Sequence, residues 1–83
     1  MPRIRMYTTA WCGYCLRAKA LLEQRGLEYE EISLDGDPDF RHKLEELTGR
    51  WTVPQILIDD RPIGGFTELV VLDRAGELDE IAA

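Results

Sequence analysis

Short periodic segments, strands alternating with helices, constrain the fold of this chain more than any other feature of its sequence. Strands carry apolar side chains at every second position, and helices carry them at every third or fourth position. On this basis the sequence predicts four strands, at residues 4–8, 27–34, 53–58 and 61–63. It also predicts three helices, one at residues 12–25, one between the caps Asp37 and Gly49, and one between the caps Thr67 and Gly76. A short turn at residues 78–81 follows the last helix.

Local signals support several of these elements. Asp37 and Pro38 form a helix start, an N-cap acceptor followed by a proline at the first helical position. Asp59 and Asp60 are a candidate two-residue turn, which predicts an antiparallel hairpin. Pro62 places the last strand at an edge of the sheet, because a proline cannot donate to the ladder.

The order β-α-β-α-β-β-α predicts an α/β fold. The chain begins with a strand, a helix and a second strand. This order implies that the two strands are parallel and are joined by a right-handed crossover. With the hairpin at the end, the consistent arrangement is a mixed four-stranded sheet flanked by helices. A chain of 83 residues is long enough for one compact core, so residues 1–83 are expected to form a single domain.

Composition excludes several classes of function. Ten Lys and Arg against sixteen Asp and Glu give a net charge of -6, whereas nucleic-acid binders and proteins of anionic membrane surfaces need an excess of basic residues. The sequence has no apolar run of about 20 residues that could span a membrane. Its first residues lack the apolar core of a signal peptide. The expected location is the cytoplasm, with no nucleic-acid or membrane partner.

The two cysteines, Cys12 and Cys15, point to chemistry rather than to a structural staple. The loop that they could close is too small for a stabilising disulfide, and a reducing cytoplasm disfavours one. Cys12 falls at the predicted start of the first helix, where free N–H groups and the helix dipole favour a thiolate. We therefore expect Cys12 to be a nucleophile and Cys15, one turn later, to resolve its mixed disulfides by thiol–disulfide exchange.

Two other interpretations of the cysteine pair remain open. It could be half of a structural zinc site, but such a site needs four ligands. His42, the only histidine, is expected to be a solvated surface residue. The pair could also be two inert, buried small residues.

Seven motifs in a fixed order add a family resemblance. They are Tyr7-Thr8, Cys12-Gly13-Tyr14-Cys15, Ala18-Lys19-Ala20-Leu21-Leu22, Thr48-Gly49-Arg50, Thr52-Val53-Pro54-Gln55-Ile56, Ile63-Gly64-Gly65 and Gly76-Glu77-Leu78. Across essentially the whole chain, the sequence resembles a glutaredoxin of the small dithiol bacterial type. The resemblance implies the thioredoxin fold and glutathione as the cosubstrate.

The resemblance also implies which residues bind glutathione. They are Tyr14, Arg41, Thr52, Val53, Pro54, Gly65, Phe66 and Thr67. The Val53–Pro54 bond is expected to be cis, with the Val53 backbone pairing with the cysteinyl part of glutathione; a plain proline at a strand entry is the alternative. Arg41 would meet the glycyl carboxylate.

The Gly64-Gly65 pair supports a ligand site on physical grounds as well. Glycines let the backbone approach a ligand closely, and the helix that follows offers N–H donors to a carboxylate. The resemblance makes this the γ-glutamyl carboxylate. The alternative is that the two glycines merely end the edge strand.

Three residues depart from the family pattern. Gly13 stands where proline is commonest, Thr9 replaces a basic residue, and Thr67 replaces the first of two acidic residues. Thr67 cannot pair ionically with the glutathione amino group, so the affinity for glutathione is expected to fall. Members without that proline sometimes hold a 2Fe–2S cluster between two subunits, for which Cys12 is the candidate ligand.

The sequence therefore predicts a glutathione-dependent thiol–disulfide oxidoreductase. Its substrates would be disulfide-containing proteins, reduced through both cysteines, and glutathionylated proteins, reduced through Cys12 alone. The alternatives are a 2Fe–2S carrier dimer and a redoxin reduced by thioredoxin reductase. We expect a monomer without metal unless a cluster bridges two copies. Trp11 and Trp51 would flank the site, as a docking rim for protein substrates or as cover for the core.

Overall fold

The structure is a computed structural model and describes residues 3–82. Its strands are β1 (Ile4–Thr8), β2 (Tyr29–Ser33), β3 (Gln55–Ile58) and β4 (Arg61–Gly64). Its helices are α1 (Gly13–Gln24), α2 (Phe40–Thr48), α3 (Phe66–Arg74) and α4 (Glu77–Ala82). The predicted order β-α-β-α-β-β-α is confirmed, and the predicted last turn is the short helix α4.

The four strands form one mixed sheet in the order β2-β1-β3-β4. The outer strand β2 is parallel to β1, while β3 is antiparallel to both β1 and β4. The predicted hairpin between β3 and β4 turns at Asp59 and Asp60, whose φ angles of 51° and 66° suit a two-residue turn of this hand. Pro62 lies on the edge strand β4, as predicted.

Helices cover both faces of the sheet. The core on the first face joins the sheet to α1, α3 and α4 through Ile4, Met6, Ala18, Leu22, Leu27, Ile56, Ile58, Leu69 and Leu78. The core on the second face joins it to α2 through Tyr7, Leu34, Leu44 and Leu57. In β2, Tyr29 packs against the first core and Ile32 against the second. Residues three apart in a strand point to opposite faces of the sheet. The apolar residues of β2 therefore do not follow one strict alternation in the sequence.

Two predicted helix starts were wrong. Asp39, not Asp37, is the N-cap of α2. The carboxylate of Asp37 accepts a hydrogen bond from the backbone N–H of Asp39 at 2.9 Å, so it closes a turn before the helix. The N-cap of α3 is Gly65, and Thr67 lies inside the helix.

Strands β2 and β3 are shorter than predicted. β3 begins at Gln55 rather than at residue 53, because Pro54 has no N–H to give to the ladder. Leu27 and Leu34 are buried beyond the two ends of β2. The N–H of Leu27 bonds to the carbonyl of Leu22 at the end of α1, whereas the N–H of Leu34 bonds to Thr8. Because Leu27 and Leu34 are buried although they lie outside β2, the apolar pattern of the sequence predicted a strand that was too long at both ends.

Candidate active site

Cys12 lies where β1 gives way to α1, as predicted. It is the N-cap of α1, in an extended conformation, and its sulfur accepts a hydrogen bond from the backbone N–H of Cys15 at 3.0 Å. Sulfur thus occupies the place that a Ser, Thr or Asp oxygen takes in an ordinary cap. The helix dipole and the free N–H groups of this first turn favour negative charge on that sulfur.

Cys15 lies one turn further into α1 and is 1% exposed, whereas Cys12 is partly exposed. Both thiols are free. Burial, followed by the hydrogen bond and the charge of Cys12, raises the pKa of Cys15 to about 12. A hydrogen bond with the backbone of Thr9 and the charge of Lys19 oppose this rise in pKa. The two cysteines therefore differ in access: Cys12 is partly exposed, whereas Cys15 is buried and held as a thiol.

The loop before β3 meets Cys12. The thiol of Cys12 donates to the carbonyl oxygen of Val53 at 3.7 Å, a distance within the range for sulfur. The Val53–Pro54 peptide bond is cis, which confirms the expectation from the resemblance. Val53 itself lies before the first residue of β3, and its carbonyl contacts the sulfur of Cys12.

A groove of about 320 Å³ is formed by this loop, the start of α3 and one face of α1. It is lined by Tyr14, Arg50, Thr52, Val53, Pro54, Gln55, Gly65, Phe66, Thr67 and Glu68. All the residues predicted to bind glutathione lie in this lining except Arg41. The rings of Tyr14 and Phe66 are 6.2 Å apart between centroids.

The glycine pair allows the two walls of the groove to approach. A Cβ on Gly65 would lie 3.0 Å from the carbonyl oxygen of Pro54, closer than side chains normally come to a backbone atom. Gly64 has a φ of 111°, which favours glycine, and a Cβ there would overlap the side chain of Glu68. The pair therefore shapes the groove in addition to ending β4.

Sequence reasoning missed an ion pair in the lining of the groove. The guanidinium of Arg50 pairs with the carboxylate of Glu68, which also accepts the backbone N–H of Gly65 at 3.4 Å. Burial tends to raise the pKa of Glu68, but Arg50 and the backbone donors outweigh it and hold that pKa below its usual value. Glu68 follows Gly65 by three positions, the spacing of an N-cap and its N3 residue. That spacing was the signal in the sequence that could have placed Glu68 at this helix start.

Gln55 is a third lining residue, after Arg50 and Glu68, that sequence reasoning did not assign. Its side chain is buried at the start of β3. Its amide nitrogen donates to the hydroxyl of Thr52 at 3.3 Å. Gln55 thereby ties the loop before the cis-proline to the sheet.

Arg41 does not line the groove. Its guanidinium lies 5.0 Å from the centre of the Trp51 ring and 5.2 Å from that of Phe40, in cation–π geometry. Trp51 is half exposed beneath this arginine, and Trp11, next to Cys12, is fully exposed. Trp11 thus does not cover the core, which removes one of the two interpretations for that residue.

The zinc interpretation finds no support in residues 3–82, where no group of three or more His, Cys, Asp or Glu side chains could hold a metal ion. His42 is exposed on α2, as predicted, with its ring nitrogen 3.0 Å from the carboxylate of Glu46. Over the same range there is no helix with both the length and the apolar character to cross a membrane.

The sequence profile of the glutaredoxin family matches residues 4–63, from the first strand through the cis-proline loop to the edge strand. The chain belongs to the glutaredoxin family. It is 48% identical over 81 residues to a glutaredoxin of Pseudomonas aeruginosa, with 98% of this chain and 96% of the relative covered. It is 43% identical over 81 residues to glutaredoxin 3 of Escherichia coli K12, with 98% of each chain covered.

Solved glutaredoxin structures share this fold. The buckwheat glutaredoxin–glutathione complex has a TM-score of 0.86 and 32% identity, covering 96% of this chain and 76% of its own. The glutaredoxin of Brucella melitensis has a TM-score of 0.82 and 41% identity, covering 98% and 88%. This glutaredoxin therefore has the thioredoxin fold and is a thiol–disulfide oxidoreductase.

Proposed function

We propose that this glutaredoxin uses glutathione as its reductant. It reduces protein disulfides through Cys12 and Cys15, and glutathione mixed disulfides through Cys12 alone. The observation that carries the proposal is the position of Cys12, whose sulfur contacts Val53 in the lining of the groove. A tripeptide joined to that sulfur would lie along the groove, and the buckwheat relative was solved as a complex with glutathione.

The chemistry of the lining suits the charged groups of glutathione. The backbone of Val53 offers hydrogen bonds to an extended cysteinyl residue in the manner of an added strand. Phe66 and Thr67 line the groove at the start of α3, where N–H groups have no partner within the helix and would donate to the γ-glutamyl carboxylate. Glu68 supplies the negative charge for the γ-glutamyl amine that Thr67 cannot supply. Arg50 offers a cation to a carboxylate.

The dithiol route takes two electrons from the cysteine pair. The Cys12 thiolate attacks a sulfur of the substrate disulfide, and the first substrate thiolate leaves and is protonated by water. Cys15 loses its proton to solvent and attacks the Cys12 sulfur, which forms the Cys12–Cys15 disulfide and releases the second substrate thiolate. Two glutathione molecules then reduce this disulfide and leave as oxidised glutathione.

The mixed disulfide itself prepares Cys15 for its attack. In the reduced protein, the hydrogen bond and the charge of Cys12 both raise the pKa of Cys15. Once Cys12 carries a substrate sulfur, it no longer has a negative charge that repels a Cys15 thiolate or that accepts a hydrogen bond from the Cys15 thiol, so both contributions fall away. The pKa of Cys15 falls at the step that requires its thiolate.

The monothiol route needs only Cys12. The Cys12 thiolate takes the glutathione sulfur from a glutathionylated protein and releases the protein thiol. A second glutathione thiolate then attacks the bound glutathione sulfur, which regenerates Cys12 and yields oxidised glutathione. Because residues of one chain line the groove, we propose that a monomer performs both routes, in the cytoplasm, where reduced glutathione is abundant.

A coupled assay tests the proposal. Reduction of a small glutathione mixed disulfide is followed through NADPH and glutathione reductase, with wild type and Cys12→Ser. We expect turnover by wild type and none by Cys12→Ser. Folded wild type with free thiols that turns over only with thioredoxin reductase would overturn the glutathione proposal. Equal turnover by Cys12→Ser would overturn the assignment of the nucleophile.

A further inference from the structure

A charged pair lies at the edge of the first core, on the face of the sheet that α1 covers. Met6, in β1, is fully buried in the first core and pairs in register with Glu31 of the neighbouring parallel strand β2. Residues paired in register point to the same face of a sheet. Glu31 therefore faces α1, where a charged side chain does not add to the hydrophobic core.

Glu31 is held by two donors. The ammonium of Lys19, on α1, lies 2.5 Å from Glu31 Oε2, and the buried hydroxyl of Thr8 donates to the same oxygen at 2.7 Å. The side chain of Lys19 is 26% exposed and that of Glu31 35% exposed. The Lys19 ammonium is thus fixed between the helix and the sheet rather than extended into solvent.

Lys19 shares a face of α1 with the resolving cysteine. Cys15 and Lys19 are four positions apart in the helix, so their Cβ atoms are about 5–6 Å apart. Thr8, which anchors the other end of the pair, ends β1 four residues before Cys12, the N-cap of α1. The pair therefore lies beside the one thiol in the site that is buried.

The chemistry of resolution gives a fixed cation at this position a role. Cys15 must become a thiolate to attack the Cys12 sulfur, and burial opposes that ionisation. The charge of Cys12 opposes ionisation of Cys15, whereas the charge of Lys19 favours it. Once Cys12 is in a mixed disulfide, the opposing charge of Cys12 is gone and that of Lys19 is still present.

We infer that Lys19 is a positioning residue for the resolving step, held by Glu31 and Thr8 so that its ammonium stabilises the Cys15 thiolate. The inference rests on the proposed role of Cys15. In the step concerned, the proton of Cys15 goes to solvent, the Cys15–Cys12 bond forms and the Cys12–substrate bond breaks. The departing thiolate carries away the electron pair of the broken bond. Lys19 keeps its proton throughout and takes no part in the monothiol route.

A single stopped-flow trace separates the two steps. The reduced protein is mixed with an equimolar symmetric aromatic disulfide whose thiolate is coloured. The first release of colour reports attack by Cys12, and the second reports resolution by Cys15. In Lys19→Gln we expect the second phase to slow by about threefold to tenfold at neutral pH, the range for losing one partly screened charge near a thiol. The first phase should be unchanged, and Lys19→Arg should restore the second.

Glu31→Gln distinguishes an electrostatic role from a merely structural one. Glutamine keeps an acceptor for Lys19 but removes the negative charge, so the second phase should be as fast as in wild type or faster. If the pair only ties α1 to β2, Lys19→Gln and Glu31→Gln will slow the second phase equally, and the inference is wrong. A second phase unaffected by Lys19→Gln would also overturn it.

Two further variants make the result specific. Lys43→Gln removes a lysine that pairs with Asp37 on the other side of the sheet, and it should leave both phases unchanged. Cys15→Ser should abolish the second phase. If colour is still released in two phases by Cys15→Ser, the proposed function itself fails. If only the response to Lys19 is missing, the proposed function stands and the inference alone fails.

Discussion

The carbonyl oxygen of Val53 lies 3.7 Å from the sulfur of Cys12, although 41 positions separate the two residues in the sequence. The contact brings the loop before the cis-proline to the start of α1. Any substrate sulfur joined to Cys12 therefore lies beside a stretch of backbone that is not paired in the sheet. The contact therefore places the sulfur of Cys12 next to Val53, a residue that lines the groove.

Loss of the resolving thiol should separate the two proposed routes. Cys15→Ser should lose nearly all reduction of a protein disulfide, because no second thiol releases the mixed disulfide within the chain. It should keep reduction of a glutathione mixed disulfide, which needs only Cys12. Both activities are measured through glutathione reductase and NADPH. Equal loss of both would mean that Cys15 also serves the monothiol route or the fold.

Resolution should accelerate as the pH rises. Burial and Cys12 raise the pKa of Cys15 to about 12 in the reduced protein, so Cys15 is a thiol at neutral pH. The thiolate of Cys15 is the attacking species. Below the pKa of Cys15 in the mixed disulfide, the fraction of Cys15 that is ionised grows about tenfold for each pH unit. The second phase of the stopped-flow trace, followed from about pH 6 to about pH 8, should rise accordingly. A flat profile would show that ionisation of Cys15 does not limit resolution.

Glu68 should contribute to binding rather than to chemistry. Glu68→Gln removes the charge proposed to meet the γ-glutamyl amine and breaks the pair with Arg50. We expect KM for a glutathione mixed disulfide to rise by about tenfold to a hundredfold, the effect of one charge-assisted hydrogen bond, with kcat nearly unchanged. Glu77→Gln, at the exposed start of α4, is the matched control and should leave both constants unchanged. A fall in kcat without a rise in KM would contradict the proposed role.

Gly64 should be required both for the stability of the fold and for the shape of the groove. In Gly64→Ala the new Cβ would lie 2.8 Å from Cγ of Glu68, at a φ of 111° that alanine rarely adopts. Unfolding experiments should show a loss of at least about 2 kcal/mol, and KM should rise because Glu68 is displaced.

Gly36→Ala is the control for backbone strain alone. Gly36 has a φ of 82°, but no atom lies within 4 Å of its added Cβ. It should cost about 1–2 kcal/mol of stability and leave KM unchanged. An unchanged KM in Gly64→Ala would show that Glu68 can move without affecting binding.

Sequence periodicity predicted the elements because their signals are local. The bounds of β1 were predicted without error, and the phase change in β2 reflects a strand that contributes to both cores. The starts of α2 and α3 were less predictable, because in each case a residue two positions from the true N-cap also had a side chain suited to capping. At α3, the carboxylate of Glu68 accepts the N–H of Gly65, which makes Gly65 rather than Thr67 the start.

The groove was predictable only in part. The motifs around Val53 and Gly65 identified two of its walls, because short stretches of sequence carry them. The pair of Arg50 and Glu68 joins residues 18 positions apart, and nothing in either motif specifies its partner. Arg41 was assigned from the family resemblance, which does not specify where its side chain lies; the structure places its guanidinium over the ring of Trp51 instead.

Amide NMR spectra of Cys15→Ser, before and after it forms a mixed disulfide with glutathione, test the central claim most directly. If glutathione joined to Cys12 lies in the groove, the largest changes outside the active-site turn should fall on Val53, Gly65, Phe66 and Thr67. Changes confined to residues 11–16 would mean that glutathione is attached to Cys12 but extends into solvent. That result would contradict the account.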